Sequence, residues 1–356
     1  MNEHKVYRAI GLMSGTSLDG EIDVALIETD GRDYVKPLRY MAYPYDINVR
    51  DKVRECFGKL ERDSNVDEAE KLVTDIHIAA VKDFGEEADI IGFHGQTITH
   101  DPDNHFTWQL GDGAILAQEN GIDVIADMRA NDVKAGGQGA PLLPLYHKAL
   151  LSKHESPAVV LNLGGVANIT YIGTGEELIA FDCGPANALM DDFMRDRLGA
   201  EYDNGGALAS KGKAHSHIIK TYLQHSFFKK IPPKSLDRNV WSIDCVRYLS
   251  DEDAMATLME MSVMGVVKAI ELLPDRPVHI YVAGGGRKNR FLIDSLHNHL
   301  RIPVTQIEDF DDLNGDAIEA EGFAYLAVRS LLGLHLTLPE TTGVASKITG
   351  GILHSK

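Results

Sequence analysis

Ile10-Gly11-Leu12-Met13-Ser14-Gly15-Thr16-Ser17-Leu18-Asp19-Gly20-Glu21-Ile22-Asp23-Val24 is the stretch on which the fold turns. Lys5 to Met13 has strand character, Ile22 to Glu28 has it again, and a turn of small and polar residues joins them. A strand, a polar glycine turn and a strand make a hairpin whose successive amides form a concave nest for an anion, with no lysine required. The pattern returns once. Ala158 to Leu163 and Val166 to Ile172 read as strands joined by Gly164-Gly165, and Glu177 to Phe181 is a third strand ending at Asp182.

Outward from these hairpins the two halves keep one order. In the first, a third extended segment near Leu38 to Tyr45 precedes a helix over Val66 to Phe84, where Leu72, Ile76, Ala79, Ala80 and Phe84 recur near helical spacing. A buried strand, Asp89 to Phe93, then ends in His94-Gly95-Gln96-Thr97, and a polar loop, a helix at Gly113 to Asn120 and a strand at Asp123 to Ala126 follow. In the second, helices at Asn187 to Leu198 and Asp253 to Leu273 lead to a strand, Val278 to Ala283, ending in Gly284-Gly285-Gly286. A helix to Leu300, a strand at Pro303 to Glu308 and a helix at Asp316 to Leu332 complete it. One duplication over about 150 residues implies paired domains around a cleft rather than a solenoid. The expected domains are 1–135 joined by 342–356, and 136–341. Ala135-Gly136-Gly137-Gln138-Gly139-Ala140-Pro141 is the expected hinge. Parallel α/β sheets hold ligands at the carboxyl ends of their strands, where these motifs sit.

Composition narrows the function classes. Lys and Arg number 35 against 53 Asp and Glu, a net charge of −18, so neither the basic face of a nucleic-acid binder nor a polybasic membrane patch is present. Cys56, Cys183 and Cys245 are far apart and form no CxxC pair, which argues for a reducing compartment and against structural zinc. No apolar signal core and no run of about 20 apolar residues is visible, and the cytoplasm is the expected location.

Standard nucleotide motifs fail. The nearest approach to a Walker A loop, Gly206 to Gly212-Lys213, has five intervening residues and Ala214 where Ser or Thr is required. No G-x-G-x-x-G follows a strand, and HExxH is absent. Two anion-binding turns at equivalent places in duplicated halves, with Gly284-Gly285-Gly286 to receive an adenosine, match instead the two-phosphate-loop design of actin-like and sugar-kinase ATPases. The fold class expected is therefore α/β, with two duplicated actin-like (ribonuclease H-like) domains flanking a nucleotide and sugar cleft.

Gly11 to Gly20, His94-Gly95-Gln96-Thr97, Gln109-Leu110-Gly111-Asp112, Gly136 to Leu142, Leu161 to Asn168 and Phe181-Asp182-Cys183-Gly184-Pro185-Ala186-Asn187 together resemble the anhydro-N-acetylmuramic acid kinase family. The resemblance runs from the first strand to Thr342-Gly343. It implies an ATP- and Mg²⁺-dependent enzyme of cell-wall recycling that hydrolytically opens a 1,6-anhydro sugar and phosphorylates the released O6. It also implies a homodimer.

Roles follow for individual residues. Gly15, Thr16, Ser17 and Gly20 would cradle the terminal phosphates with Gly164 and Gly165, and Gly284, Gly285 and Gly286 would hold the adenosine. Asp19 and Glu319, from opposite halves, would hold Mg²⁺ directly or through water. Asp182 would be the general base that deprotonates water at C1. Gln96, Thr97, Arg129 and Asn168 would bind sugar, with Asp127 and Asp132 orienting, and Arg129 is suited to a lactyl carboxylate or equally to a salt bridge. Three departures from the family pattern stand out: an extra residue in Gly20-Glu21-Ile22-Asp23, Cys183 for threonine and Ala186 for glycine. The open alternatives are a kinase of another anhydro-sugar such as levoglucosan, and an actin-like nucleotide switch without sugar chemistry.

Overall fold

The computed structural model describes residues 4–15, 18, 20–236, 240–310 and 313–356. The chain divides into two units, residues 1–153 with 317–356, and residues 154–316.

In the first unit β1 (Tyr7–Met13), β2 (Glu21–Thr29) and β3 (Val35–Pro44) form an antiparallel meander. The other side of β1 pairs in parallel with β4 (Ile90–Phe93). The run from Ala9 to Leu12 is buried on both faces, as a central strand requires. After β4, β5 (Gln96–Asp101) and β6 (Phe106–Leu110) pair only with each other, where the sequence reads as a polar loop. The parallel part continues through β7 (Val124–Ala126), and the C-terminal Ile352–His354, the last strand, closes the edge antiparallel to β7. Helices α1 (Ile47–Arg54), α2 (Ser64–Phe84), α3 (Gly113–Asn120), α4 (Ala130–Lys134) and α5 (Pro144–Leu150) connect these strands. Their ends are chemically marked. Asp63 Oδ1 accepts from Val66 N to start α2, which Gly85 ends at φ 67°, and Asp112 accepts from Ala114 N and Ile115 N to start α3. Asp112 of the Gln109–Asp112 motif is thus a helix cap.

In the second unit β8 (Ala158–Leu163), β9 (Val166–Ile172) and β10 (Leu178–Pro185) form the meander, and β8 pairs in parallel with β11 (His279–Ala283), which pairs with β12 (Val304–Gln306). Counted from each first strand, both sheets run third, second, first, fourth, fifth, with the same directions. That order is the ribonuclease H-like one, and its occurrence twice gives the duplicated actin-like class expected from the sequence. Helices α6 (Asn187–Phe193), α7 (Ser216–Leu223), α8 (Asp251–Ile270) and α9 (Arg290–Leu300) pack here around one core that includes Phe181, Phe193, Met255 and Leu258.

The unit boundaries differ from the expected ones. Residues 136–153 and 317–341 belong to the first unit, because α10 (Ile318–Leu331) lies directly on the first sheet. The cause is a pair of glycines in register on neighbouring strands, Gly11 of β1 and Gly92 of β4. A Cβ on Gly11 would stand 1.7 Å from Ala320 O, and one on Gly92 2.1 Å from Phe323 O. The helix backbone therefore rests on bare strand backbone. The Gly136–Gly139 loop, expected to be a hinge, lies inside the same unit and is held there. Gly139 N donates to Asp132 Oδ1 (2.7 Å), Gln138 N to Thr342 O (2.8 Å) and Thr342 Oγ1 to Asp132 Oδ2 (2.6 Å), tying it to α11 (Pro339–Thr342). Among the described residues no helix is long and apolar enough to cross a membrane.

Candidate active site

In the first unit the turn after β1 is fastened to the end of β4. Ser14 is buried and its Oγ donates to Gly95 O (3.3 Å), while Gln96 Nε2 donates to Gly15 O (3.3 Å). Leu18 at φ 51° and Gly20 at φ 96° turn the chain back into β2. Thr16, Ser17 and Asp19, named as phosphate and metal ligands, lie outside the described residues. Gln96 is 2% exposed, so its amide braces the turn. Thr97 takes a different partner, accepting on Oγ1 from Gln109 Nε2 (3.1 Å) in the β5–β6 hairpin.

Arg129 follows β7 and joins three elements. Its Nε donates to His94 Nε2 (3.0 Å) and its Nη1 to Gly139 O (2.7 Å), and its guanidinium carbon is 5.9 Å from the Phe323 ring centroid. His94 also packs against Phe323, with centroids 4.6 Å apart. Because Nε2 accepts, the His94 ring is neutral with its proton on Nδ1. Burial, then the neighbouring Arg129 charge, hold it well below the usual histidine range. Burial brings Arg129 down to about 10 against the pull of Glu319 and Asp132, so it is still a cation at neutral pH. Asp132 is buried with both carboxylate oxygens bonded to the glycine loop and Thr342. Asp127, at φ 53°, has its carboxyl raised by burial.

Glu319 is in the first turn of α10 and feels the Arg129 charge. It therefore belongs to the first unit, which corrects its expected place in the second. Glu321, two residues on, is not a solvated surface carboxylate. It is 2% exposed, accepts from Tyr146 Oη, and burial raises it to about 7.

In the second unit the turn between β8 and β9 is locked to the start of α6. Asn187 N donates to Gly164 O (3.0 Å), Ala186 N to Gly165 O (2.9 Å) and Asn187 Nδ2 to Leu163 O (2.9 Å). The Gly284 turn adjoins it, since a Cβ on Gly286 would stand 2.7 Å from Leu163 Cβ and 3.0 Å from Asn187 Oδ1. Gly284, at φ 76°, could carry no side chain, because Asn162 Oδ1 would be 2.3 Å from its Cβ. Arg287 fixes this turn from behind, bonded to Gly284 O, Glu308 and Asp316. Gly285 and Gly286 open onto a 350 Å³ cavity also lined by Asn187, Met190, Tyr202 and Lys288. Small-ligand pockets span about 300–1,000 Å³, and this one sits where an adenosine was expected.

Asp182 stands in β10 rather than past its end. It is in register with Asn168 of β9, and Asn168 with Asn162 of β8, so three polar residues form a row beside the glycine turns. A register shift between Asp182 and Gly184 bends the strand there. Asp182 N donates to Lys234 O (3.0 Å), and Asp182 Oδ2 accepts from Leu236 N (2.7 Å). Burial raises its carboxyl to about 7, against the opposing effects of the Leu236 amide and the Lys234 charge. Cys183 is buried and its thiol pushed well up, the opposite of an activated nucleophile. Sequence reasoning missed Asn162, Asn187 and Lys234. The first two lay within quoted motifs, whereas Lys234 carried no signal of its own.

A family model described as anhydro-N-acetylmuramic acid kinase matches residues 7–356. The anhydro-N-acetylmuramic acid kinase of Zymomonas mobilis is 50% identical over 97% of this chain and 99% of its own length. That of Rhizorhabdus wittichii is 48% identical over 97% and 98%. Among solved structures, a gluconate kinase from Lactobacillus acidophilus aligns with TM-score 0.48 and 11% identity over 99% of this chain and 94% of that one. The family model over residues 7–356 and the 50% and 48% identity to these two curated enzymes over nearly their whole length place the chain in the anhydro-N-acetylmuramic acid kinase family.

Proposed function

We propose that the chain uses ATP and water to convert 1,6-anhydro-N-acetylmuramic acid to N-acetylmuramic acid 6-phosphate, a step of cell-wall recycling carried out in the cytoplasm by a homodimer. Asp182 carries the reading. A water oxygen bonds to C1 as the C1–O6 bond breaks, O6 takes the γ-phosphoryl group, ADP leaves, and the water proton passes to Asp182. Attack from the face opposite O6 resembles an inverting glycosidase in which phosphoryl transfer replaces the general acid. A base for this purpose works best with its proton affinity near the working pH, and burial brings Asp182 to about 7.

Gly164, Gly165 and the turn of Gly15, Thr16, Ser17 and Gly20 would bind phosphates through backbone amides, and Gly284, Gly285 and Gly286 would hold the adenosine. Asn168 beside the base would orient sugar or water. Gln96, Thr97 and Arg129 are the sugar ligands proposed in the first unit, with Gln96 and Arg129 also bracing it. Mg²⁺ would be held by Asp19 and Glu319, where it neutralises phosphate charge. Glu319, in the first turn of α10, is the described member of this pair, and a hard octahedral ion takes one or two carboxylates with water and phosphate oxygens.

The reading is tested by ADP release with a panel of sugars. The anhydro-muramic acid should support turnover, and levoglucosan and open N-acetylmuramic acid should not. Because the base acts ionised, kcat/KM should hold above its titration and fall tenfold per pH unit below about 7. Sugar-independent turnover would point to a nucleotide switch, and turnover on levoglucosan alone to another anhydro-sugar.

A further inference from the structure

Asp182 is gripped by a segment 52 to 54 residues downstream, an interval that follows from the numbering of Lys234 and Leu236. Lys234 O takes the Asp182 amide, Leu236 N reaches its carboxylate, and Lys234 itself is only 8% exposed. Its ammonium donates to Phe227 O (3.3 Å) and stands 4.5 Å from the Phe227 ring centroid and 5.6 Å from that of Phe181, the residue before the base. Among the described residues the groups in contact with this cation are one carbonyl and two aromatic faces, and a cation taken out of water gains from an anion nearby. We propose that Lys234 is a positioning residue for the base. Its ammonium favours the ionised carboxylate while the backbone from Lys234 to Leu236 fixes where that carboxylate points.

Among the described residues the other ionisable neighbours do not supply this charge. Cys183, on the strand of the base, is a buried neutral thiol, and Tyr222 of α7 lies behind Cys183. Burial lowers the Lys234 ammonium from its ordinary value, the Lys230 charge adds to that, and Cys183 and Asp182 oppose it. From α8, Gly265 packs at the Cys183 carbonyl and Ser262 Oγ donates to Ala186 O (2.9 Å). The charge of Lys234 in turn holds the Asp182 carboxyl lower than burial alone would set it.

The inference rests on Asp182 being the base, and the test separates the two. The pH profile of kcat/KM for the anhydro-sugar is measured for the natural chain, Lys234→Met, Lys234→Arg and Asp182→Asn. Lys234→Met should move the acid limb up by about one pH unit, lowering kcat/KM about tenfold at about pH 6 and less than twofold at about pH 9. Lys234→Arg should restore the limb, and KM for ATP should be unchanged in both. Lys234→Gln, which can still donate to Phe227 O, replaces the methionine variant if that one unfolds. A uniform loss at every pH, or an unmoved limb with Asp182→Asn inactive, would overturn the role of Lys234 alone. An Asp182→Asn enzyme that still turns over would overturn both readings.

Discussion

Asp182→Asn is expected to lower kcat about a thousandfold while the fold and ATP affinity persist. Asparagine has nearly the same volume, and its Oδ1 can still accept from Leu236 N, so the β10 bend and the row with Asn168 and Asn162 should survive. What disappears is the capacity to take a proton from water. Turnover would be read as sugar-dependent ADP release and the fold as thermal unfolding. A rate within tenfold of the natural chain, with an unchanged melting curve, would remove Asp182 from the chemistry.

Gly11→Ala is expected to act through structure. The added Cβ would meet Ala320 O at 1.7 Å and Ala324 N at 2.7 Å, both backbone atoms of α10 with no rotamer to relieve the clash. The helix must lift from β1 or slide, at a cost of about 3 kcal/mol or more, since overpacking against rigid neighbours lies at or beyond the usual range. For a unit of this size the melting temperature should fall by roughly 6–12 °C. The shift would also displace Glu319 in the first turn of α10 and Phe323, against which His94 packs. A melting temperature within about 2 °C of the natural chain would mean that the glycine pair does not seat the helix.

Local chemistry explains which parts were legible in the sequence. The hairpin turns, the strand Ala158 to Leu163 and the helix Gly113 to Asn120 could be read because glycines, caps and buried runs mark them within a few residues. The β5–β6 hairpin was read as a loop because Asp101, Asp103, Asn104 and His105 crowd its turn with polar residues. The allegiance of α10 could not be read from periodicity. It follows the last strand of the second unit, and only the register of Gly11 with Gly92, some eighty residues apart in the chain, shows where it packs. The partners of Asp182 were hidden for the same reason, because Pro232-Pro233-Lys234-Ser235-Leu236 has no periodic pattern and acts through two backbone bonds formed across the fold.

The net charge of −18 bears on the same site. ATP and a muramic acid are anions, so their binding to an acidic chain must rely on local donors such as turn amides, Mg²⁺ and a few placed cations rather than on the overall field. Arg129, held down to about 10 by burial and still a cation at neutral pH, is the sugar-binding cation proposed in the first unit, whereas Lys234 is proposed to serve the base and not the ligands.

The central claim is that water attacks C1 while O6 accepts the phosphoryl group. It is tested by running the reaction in ¹⁸O-water with ATP, Mg²⁺ and the anhydro-sugar, and locating the label in the product at short times. Unlabelled product held in ¹⁸O-water for the same period corrects for spontaneous exchange at C1. One ¹⁸O is expected at C1, with none at O6 or in the transferred phosphate. Label in the phosphate, or a phosphorylated product with no label at C1 beyond the control, would contradict it.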